Sequence, residues 1–158
     1  MKKLLLIIFG LLPLATYSSD WTVGFATSYG GTVHYKLLEN AEFGFNYDSS
    51  LSEYGYSNLW GVSGAWKPFS KLSEHGFIFD FYYQSGVRTR NEVVFNNYSS
   101  KSYGVSFGFQ LIFPEITWGL FSRIGFQISS EDLIRLDTGA AQRRGGLGVF
   151  AMVGYNFL

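Results

Sequence analysis

Residues 145–158 read GGLGVFAMVGYNFL, and their alternation decides the fold. Leu147, Val149, Ala151, Val153, Tyr155 and Phe157 fall on one face of an extended chain. Gly146, Gly148, Phe150, Met152, Gly154 and Asn156 fall on the other, which is mostly small and carries no charge. A period of two sustained this long is a strand. A strand whose apolar face runs unbroken to Phe157 suits a wall with lipid outside and a mixed interior within.

The same period recurs upstream at residues 21–28, 32–37, 41–47, 58–66, 77–85, 102–113 and 116–128. It is plainest at 77–85, where Phe77, Phe79, Phe81 and Tyr83 alternate with Ile78, Asp80, Tyr82 and Gln84. The sequence therefore predicts an all-β fold, a closed antiparallel eight-stranded transmembrane β-barrel preceded by a cleavable signal peptide. Closure satisfies every backbone group without water, as a bilayer demands. Turn lengths set the expected registers. A loop at 29–31 puts Ser28 opposite Thr32, a turn at 38–40 puts Lys36 opposite Glu42, and a turn at Pro114 and Glu115 puts Arg123 opposite Ser106. Residues 48–57, 86–101 and 129–144 are expected as outer loops, with 67–76 a turn at the periplasmic end. Trp21, Trp66, Phe77, Phe113, Trp118, Tyr155 and Phe157 then gather at periplasmic strand ends, and Tyr47, Trp60, Tyr83 and Tyr103 at outer ends, as two interfacial girdles.

Residues 1–18 contain Lys2, Lys3 and an apolar run from Leu4 to Leu14, ahead of a polar stretch. This is the pattern of a secretory signal peptide, too short for a spanning helix. It implies Sec-type export and leaves 19–158 as one barrel domain. Aromatic residues make up 20% of the chain, alongside 19 glycines. An exported chain must cover those rings, and lipid around a barrel does so. Losing Lys2 and Lys3 from 12 basic against 12 acidic groups leaves a formal charge near −2, so no polyanion attraction and no nucleic-acid partner are expected. The absence of cysteine excludes disulfides, thiolate zinc sites and cysteine nucleophiles.

The ending Tyr155, Asn156, Phe157, Leu158 resembles the aromatic-x-aromatic close of bacterial outer-membrane barrels, displaced one place from the chain end. The whole predicted strand set is similar to the small eight-stranded barrels of the OmpA transmembrane domain, OmpX-like and opacity-type porin family. That resemblance implies a bacterial outer-membrane location and recognition of Tyr155, Phe157 and Leu158 by the barrel assembly machinery after escort by periplasmic chaperones. It also implies outer-membrane lipid and lipopolysaccharide as surroundings, and a monomer. It raises one alternative function, a lipid A-modifying enzyme of the deacylase or acyltransferase type; a second, a narrow gated channel for ions or small solutes, comes from the inward charges Lys36, Glu42, Asp80 and Arg123.

Chemistry is sparse. His34 is placed inward on a strand, with Ser28 and Asn46 on neighbouring strands but no acid supplied by the spacing, so a hydrogen-bonded lumen residue is expected rather than a catalytic base. His75 falls in a turn, and two distant histidines do not make a metal site. No cofactor and no catalytic residue are expected. Lys36, Glu42, Asp80 and Arg123 are inward charges, two of each sign, which a low-dielectric lumen must pair. With His34 they form the expected polar network, with a Lys36–Glu42 ion pair. Arg88, Arg90, Arg143 and Arg144 sit on outer loops, with Lys101 at their margin, where they are placed to meet lipopolysaccharide phosphates or solvent. Residues 130–136 form either a short helix or a raised hairpin, whose apolar residues suit a surface protein partner. The reading is a non-enzymatic outer-membrane barrel with a side-chain-filled lumen, serving envelope integrity or surface interaction through its outer loops.

Overall fold

The computed structural model describes residues 20–49, 51–52, 55–91, 95–113 and 119–157. The alternating chain forms one antiparallel sheet of β1 (Trp21–Ala26), β2 (Gly30–Leu38), β3 (Ala41–Asp48), β4 (Leu51–Ser52), β5 (Gly55–Trp66), β6 (Gly76–Asn91), β7 (Phe95–Ile112), β8 (Leu120–Arg135) and β9 (Ala141–Phe157). Each strand pairs with its sequence neighbour, β1 pairs with β9, and β3 pairs with β5. β4 is a two-residue piece laid against β5. Eight strands thus close the ring. Trp21 stands opposite Phe157, so both ends of the barrel domain lie at one end, called here the terminal end.

The two faces separate as the alternation dictates. Leu147, Phe126 and Phe45 point outward, 82%, 75% and 73% exposed, while Ile78, Phe121, Phe150 and Met152 are buried inside. Aromatic rings meet along the outer wall at both ends. Trp21 lies 5.2 Å from Tyr35 and Trp66 lies 5.9 Å from Phe79 towards the terminal end, with Tyr47 and Trp60 4.3 Å apart towards the other. The signal segment 1–18, Trp118, Pro114, Glu115 and Leu158 lie outside the described residues.

Two expected registers are corrected. Ala26, not Ser28, closes the first hairpin, opposite Gly30, leaving Thr27, Ser28 and Tyr29 as the turn. Gly30 takes φ +74°, a left-handed conformation that a side chain resists, and this lets the chain reverse early. Gln110, not Ser106, faces Arg123, because the connection between β7 and β8 spans residues 113–119 and is longer than a two-residue turn. Both shifts keep every side chain on its expected face. Alternation fixes the face of a residue, whereas the turn alone fixes its partner.

The expected loops 86–101 and 129–144 are mostly strand. β6 and β7 stay paired up to Asn91 and Phe95, and β8 and β9 up to Ile134 and Ala141. The wall is therefore uneven. The nine residues of β2 at ~3.3 Å each, tilted ~40°, rise about 23 Å, near the height of an apolar membrane band, whereas β7 has twice as many. Close strand approach inside depends on Gly61, where an added Cβ would stand 1.7 Å from the Tyr83 carbonyl oxygen.

Candidate functional site

Three layers of side chains fill the lumen. The middle layer is ionic and is built from opposite walls. Arg123 of β8 reaches across to donate from Nη2 to Glu42 Oε1 of β3 at 2.7 Å, and from Nη1 to Asp80 Oδ1 of β6 at 2.9 Å. Its Nε donates to Gln110 Oε1 at 2.8 Å, and its guanidinium lies 4.7 Å from the Phe121 ring centre. All of these side chains are buried. A charge taken out of water is costly unless paired and hydrogen-bonded, and here one arginine serves two carboxylates and an amide.

Glu42 has further partners. His34 Nδ1 lies 3.0 Å from Oε1, and the Thr22 hydroxyl lies 2.8 Å from Oε2 and 2.8 Å from Asn156 Oδ1. On its other side, His34 Nε2 lies 2.7 Å from Ser63 Oγ. Ser63, His34 and Glu42 thus stand in the order of an acyl-transfer triad, serine to imidazole to acid. His34 makes no hydrogen bond to Ser28 or Asn46, the neighbours named from sequence. The acid and the hydroxyl it does meet come from β3 and β5. Register explains the omission: Gly44 is opposite His34, and Ser63 is opposite Gly44, so a glycine gap lets His34 reach across β3 to β5.

The expected Lys36–Glu42 ion pair is also corrected. The two residues do stand opposite each other, but Glu42 turns its carboxylate to Arg123 and His34, and no ion pair among the described residues includes Lys36. Lys36 sits at the terminal rim beside Asp20, Trp21 and Ser73, at the mouth of a small cleft.

The layer nearer the far end is aromatic. Tyr29 folds down from the first hairpin, its ring 5.0 Å from Tyr82 and 5.9 Å from Phe150. Gln84 Nε2 donates to the Tyr29 carbonyl at 2.9 Å, and the Ser28 hydroxyl donates to Gln127. At the terminal end the turn after β5 tucks inward. Leu72 is buried against Ala65 and Ile78, its amide donates to the Glu39 carbonyl at 2.8 Å, and its carbonyl accepts from Gln110. Lys67 is buried there, donating to the Glu74 carbonyl, and burial, with Arg123 next, pushes its ammonium down to about 8. His75 Nδ1 accepts from the Ile112 amide at 3.2 Å. On the exposed rim Lys71 and Glu39 pair at 3.0 Å, which holds the Glu39 carboxyl below its ordinary value.

The basic residues divide by strand parity. Arg88 is partly exposed and ion-paired. It shares the inward set of β6 and pairs with Glu131 at 3.1 Å, which also accepts from Ser100 at 2.7 Å. Arg143 lies on the outward set of β9, 3.5 Å from Asp132, and exposed Arg144 bonds Gln142 at 3.1 Å. Of Arg90 only the backbone is described, opposite Gly55. Tyr155 and Phe157 meet edge to face on the last strand, their ring centres 4.9 Å apart. Residues 130–136 extend the β8–β9 hairpin instead of forming a helix.

No protein-family model and no curated protein matches the chain. Among solved structures, the N-terminal β-barrel domain of Pseudomonas aeruginosa OprF matches with a TM-score of 0.50 and 16% identity, over 87% of this chain and 94% of that one. The two share a fold. The chain accordingly has the fold of a closed eight-stranded antiparallel barrel, as its alternation predicted.

Proposed function

We propose that this protein is a non-enzymatic barrel of the bacterial outer membrane, exported through a Sec-type signal at residues 1–18 and serving envelope integrity or surface interaction through its raised hairpins. The observation that carries this reading is the stacked lumen: an aromatic layer, an ionic layer and a tucked turn succeed one another under an apolar outer wall. Such an interior favours a structural barrel over a pore. Outer-membrane lipid and lipopolysaccharide would surround it, the assembly machinery and chaperones would insert it, and a surface protein would meet the hairpins.

The experiment is a deletion strain complemented with wild type. The protein should fractionate with the outer membrane, its loss should raise detergent sensitivity, and the purified barrel should give no steady conductance in planar bilayers. A steady conductance would argue instead for the gated channel. One geometry favours the enzyme reading, the Ser63, His34, Glu42 alignment. Mass spectra of lipid A from cells with wild type, Ser63→Ala and empty vector should coincide. An acyl change abolished by Ser63→Ala would make the protein an enzyme acting on lipid A.

A further inference from the structure

The outer wall carries a groove where β6, β7 and β8 pass the far end of the apolar band. Register sets Phe81, Val105 and Ile128 side by side across it. All three point away from the lumen, and Val105 and Ile128 are more than half exposed. The next outward row holds Tyr103 and Ser130, themselves cross-strand partners. Over this edge leans Arg143 of β9, which donates from Nη2 to the Tyr103 hydroxyl and from Nε to Ser130 Oγ at 3.1 Å, its carbon 6.0 Å from the Tyr103 ring centre. The groove holds about 470 Å3, within the ~300–1,000 Å3 common to small-ligand sites.

The chemistry of the groove is ordered along one direction. Apolar side chains line its lower part, two hydroxyls follow, and the Arg143 side chain, 70% exposed, stands at the top. Lys101 and Asp132 continue the outward row that contains Arg143, so the rim carries two cations and one carboxylate. An amphiphile with an acyl chain below and an anionic, hydrogen-bonding head above matches that order. The Arg143 guanidinium is oriented by Tyr103 and Ser130, with Asp132 3.5 Å from its Nε, and its exposed nitrogens are placed for a phosphate.

We propose that this groove binds lipid A, with one acyl chain against Phe81, Val105 and Ile128 and a glucosamine phosphate on Arg143. The proposal rests on the outer-membrane reading for its choice of lipid: the groove lies at the end away from the termini, which that reading turns to the outer leaflet. Tyr103 and Ser130 supply hydroxyls at the depth where a sugar would lie. Arg144, on the opposite face of the same strand, takes no part.

The test is native mass spectrometry of the detergent-extracted protein with three probes, diphosphoryl lipid A, the same lipid dephosphorylated, and phosphatidylglycerol. Wild type should retain one diphosphoryl lipid A. Arg143→Gln should weaken retention about tenfold or more, the loss of a charge-assisted hydrogen bond. Dephosphorylation should do the same. Val105→Trp should weaken it by filling the groove, and Arg144→Gln should leave it unchanged. Heat-dependent gel mobility establishes that each variant is folded. Retention by Arg143→Gln equal to wild type, or phosphatidylglycerol bound as well as lipid A, would overturn the proposal. Recovery of the protein outside the outer-membrane fraction would instead sink the location on which it rests, while the binding assay would still judge the groove.

Discussion

Arg123→Met removes the cation of the lumen while keeping most of the side chain's bulk. Arg123 donates to Glu42 at 2.7 Å, Asp80 at 2.9 Å and Gln110 at 2.8 Å, and every partner is buried. The variant leaves two buried carboxylates without the cation they share. Breaking a buried ion pair by deleting one partner costs ~3–5 kcal/mol, because the survivor stays desolvated. With a urea slope of about 2 kcal/mol per molar, that cost lowers the unfolding midpoint by roughly 2 M. The assay is urea unfolding of the barrel in lipid vesicles, followed by tryptophan fluorescence and gel mobility. Charge is separated from packing by the triple variant Arg123→Met, Glu42→Gln, Asp80→Asn, which should regain more than half the loss. The reasoning is refuted by a fall under about 0.25 M, a shift typical of a surface change at that slope, or by a triple variant no more stable than the single one.

Lys67→Met gives a pH signature. The folded ammonium titrates near 8 against 10.5 when unfolded, so between those values the unfolded chain binds more protons. Wild type should therefore gain stability relative to Lys67→Met as pH rises from about 8 towards 10.5, and the difference should be flat below that window in midpoints measured across it. Lys36→Ala should change the unfolding free energy by less than about 0.5 kcal/mol, since Lys36 contributes no ion pair to the network. A larger loss would show that Lys36 does serve Glu42. Gly30→Ala forces a side chain into φ +74° with its Cβ 2.4 Å from the Tyr47 carbonyl, and should cost at least ~1–2 kcal/mol by the same unfolding assay. A neutral result would mean that the hairpin readily adopts another turn.

Which face each residue takes was legible in the sequence, since a wall between lipid and lumen leaves a mark every second residue. Phe77 to Gln84 point as read, and so do Arg123 and Gln127 on a strand whose partner was misassigned. Registers were less legible because they depend on turns, and Gly30 offered the first hairpin an earlier reversal than the glycine pair suggested. Strand ends were misread for a related reason. Above the apolar band the outward face is no longer continuously apolar, so Arg88 to Asn91 lacks the alternation while still pairing with Phe95 to Tyr98. The network was half legible: Glu42, Asp80, Arg123 and His34 were placed inside, but the Ser63 contact spans two strands. A serine carries no mark of that. Gly44, small and inward between them, was the available clue.

The first and last strands meet through six residue pairs, against sixteen between β6 and β7. Their partners are also the most remote in sequence, Thr22 finding Asn156. Such a join carries the largest loop-closure entropy of any in the sheet and has only six pairs to offset it, no more than the local β1–β2 join. It should therefore form last and part first. In hydrogen exchange, amides of β1 should lose protection well before those of β7, and a clasp between Phe25 and Val153 would slow unfolding more than an equal bond placed elsewhere in the wall.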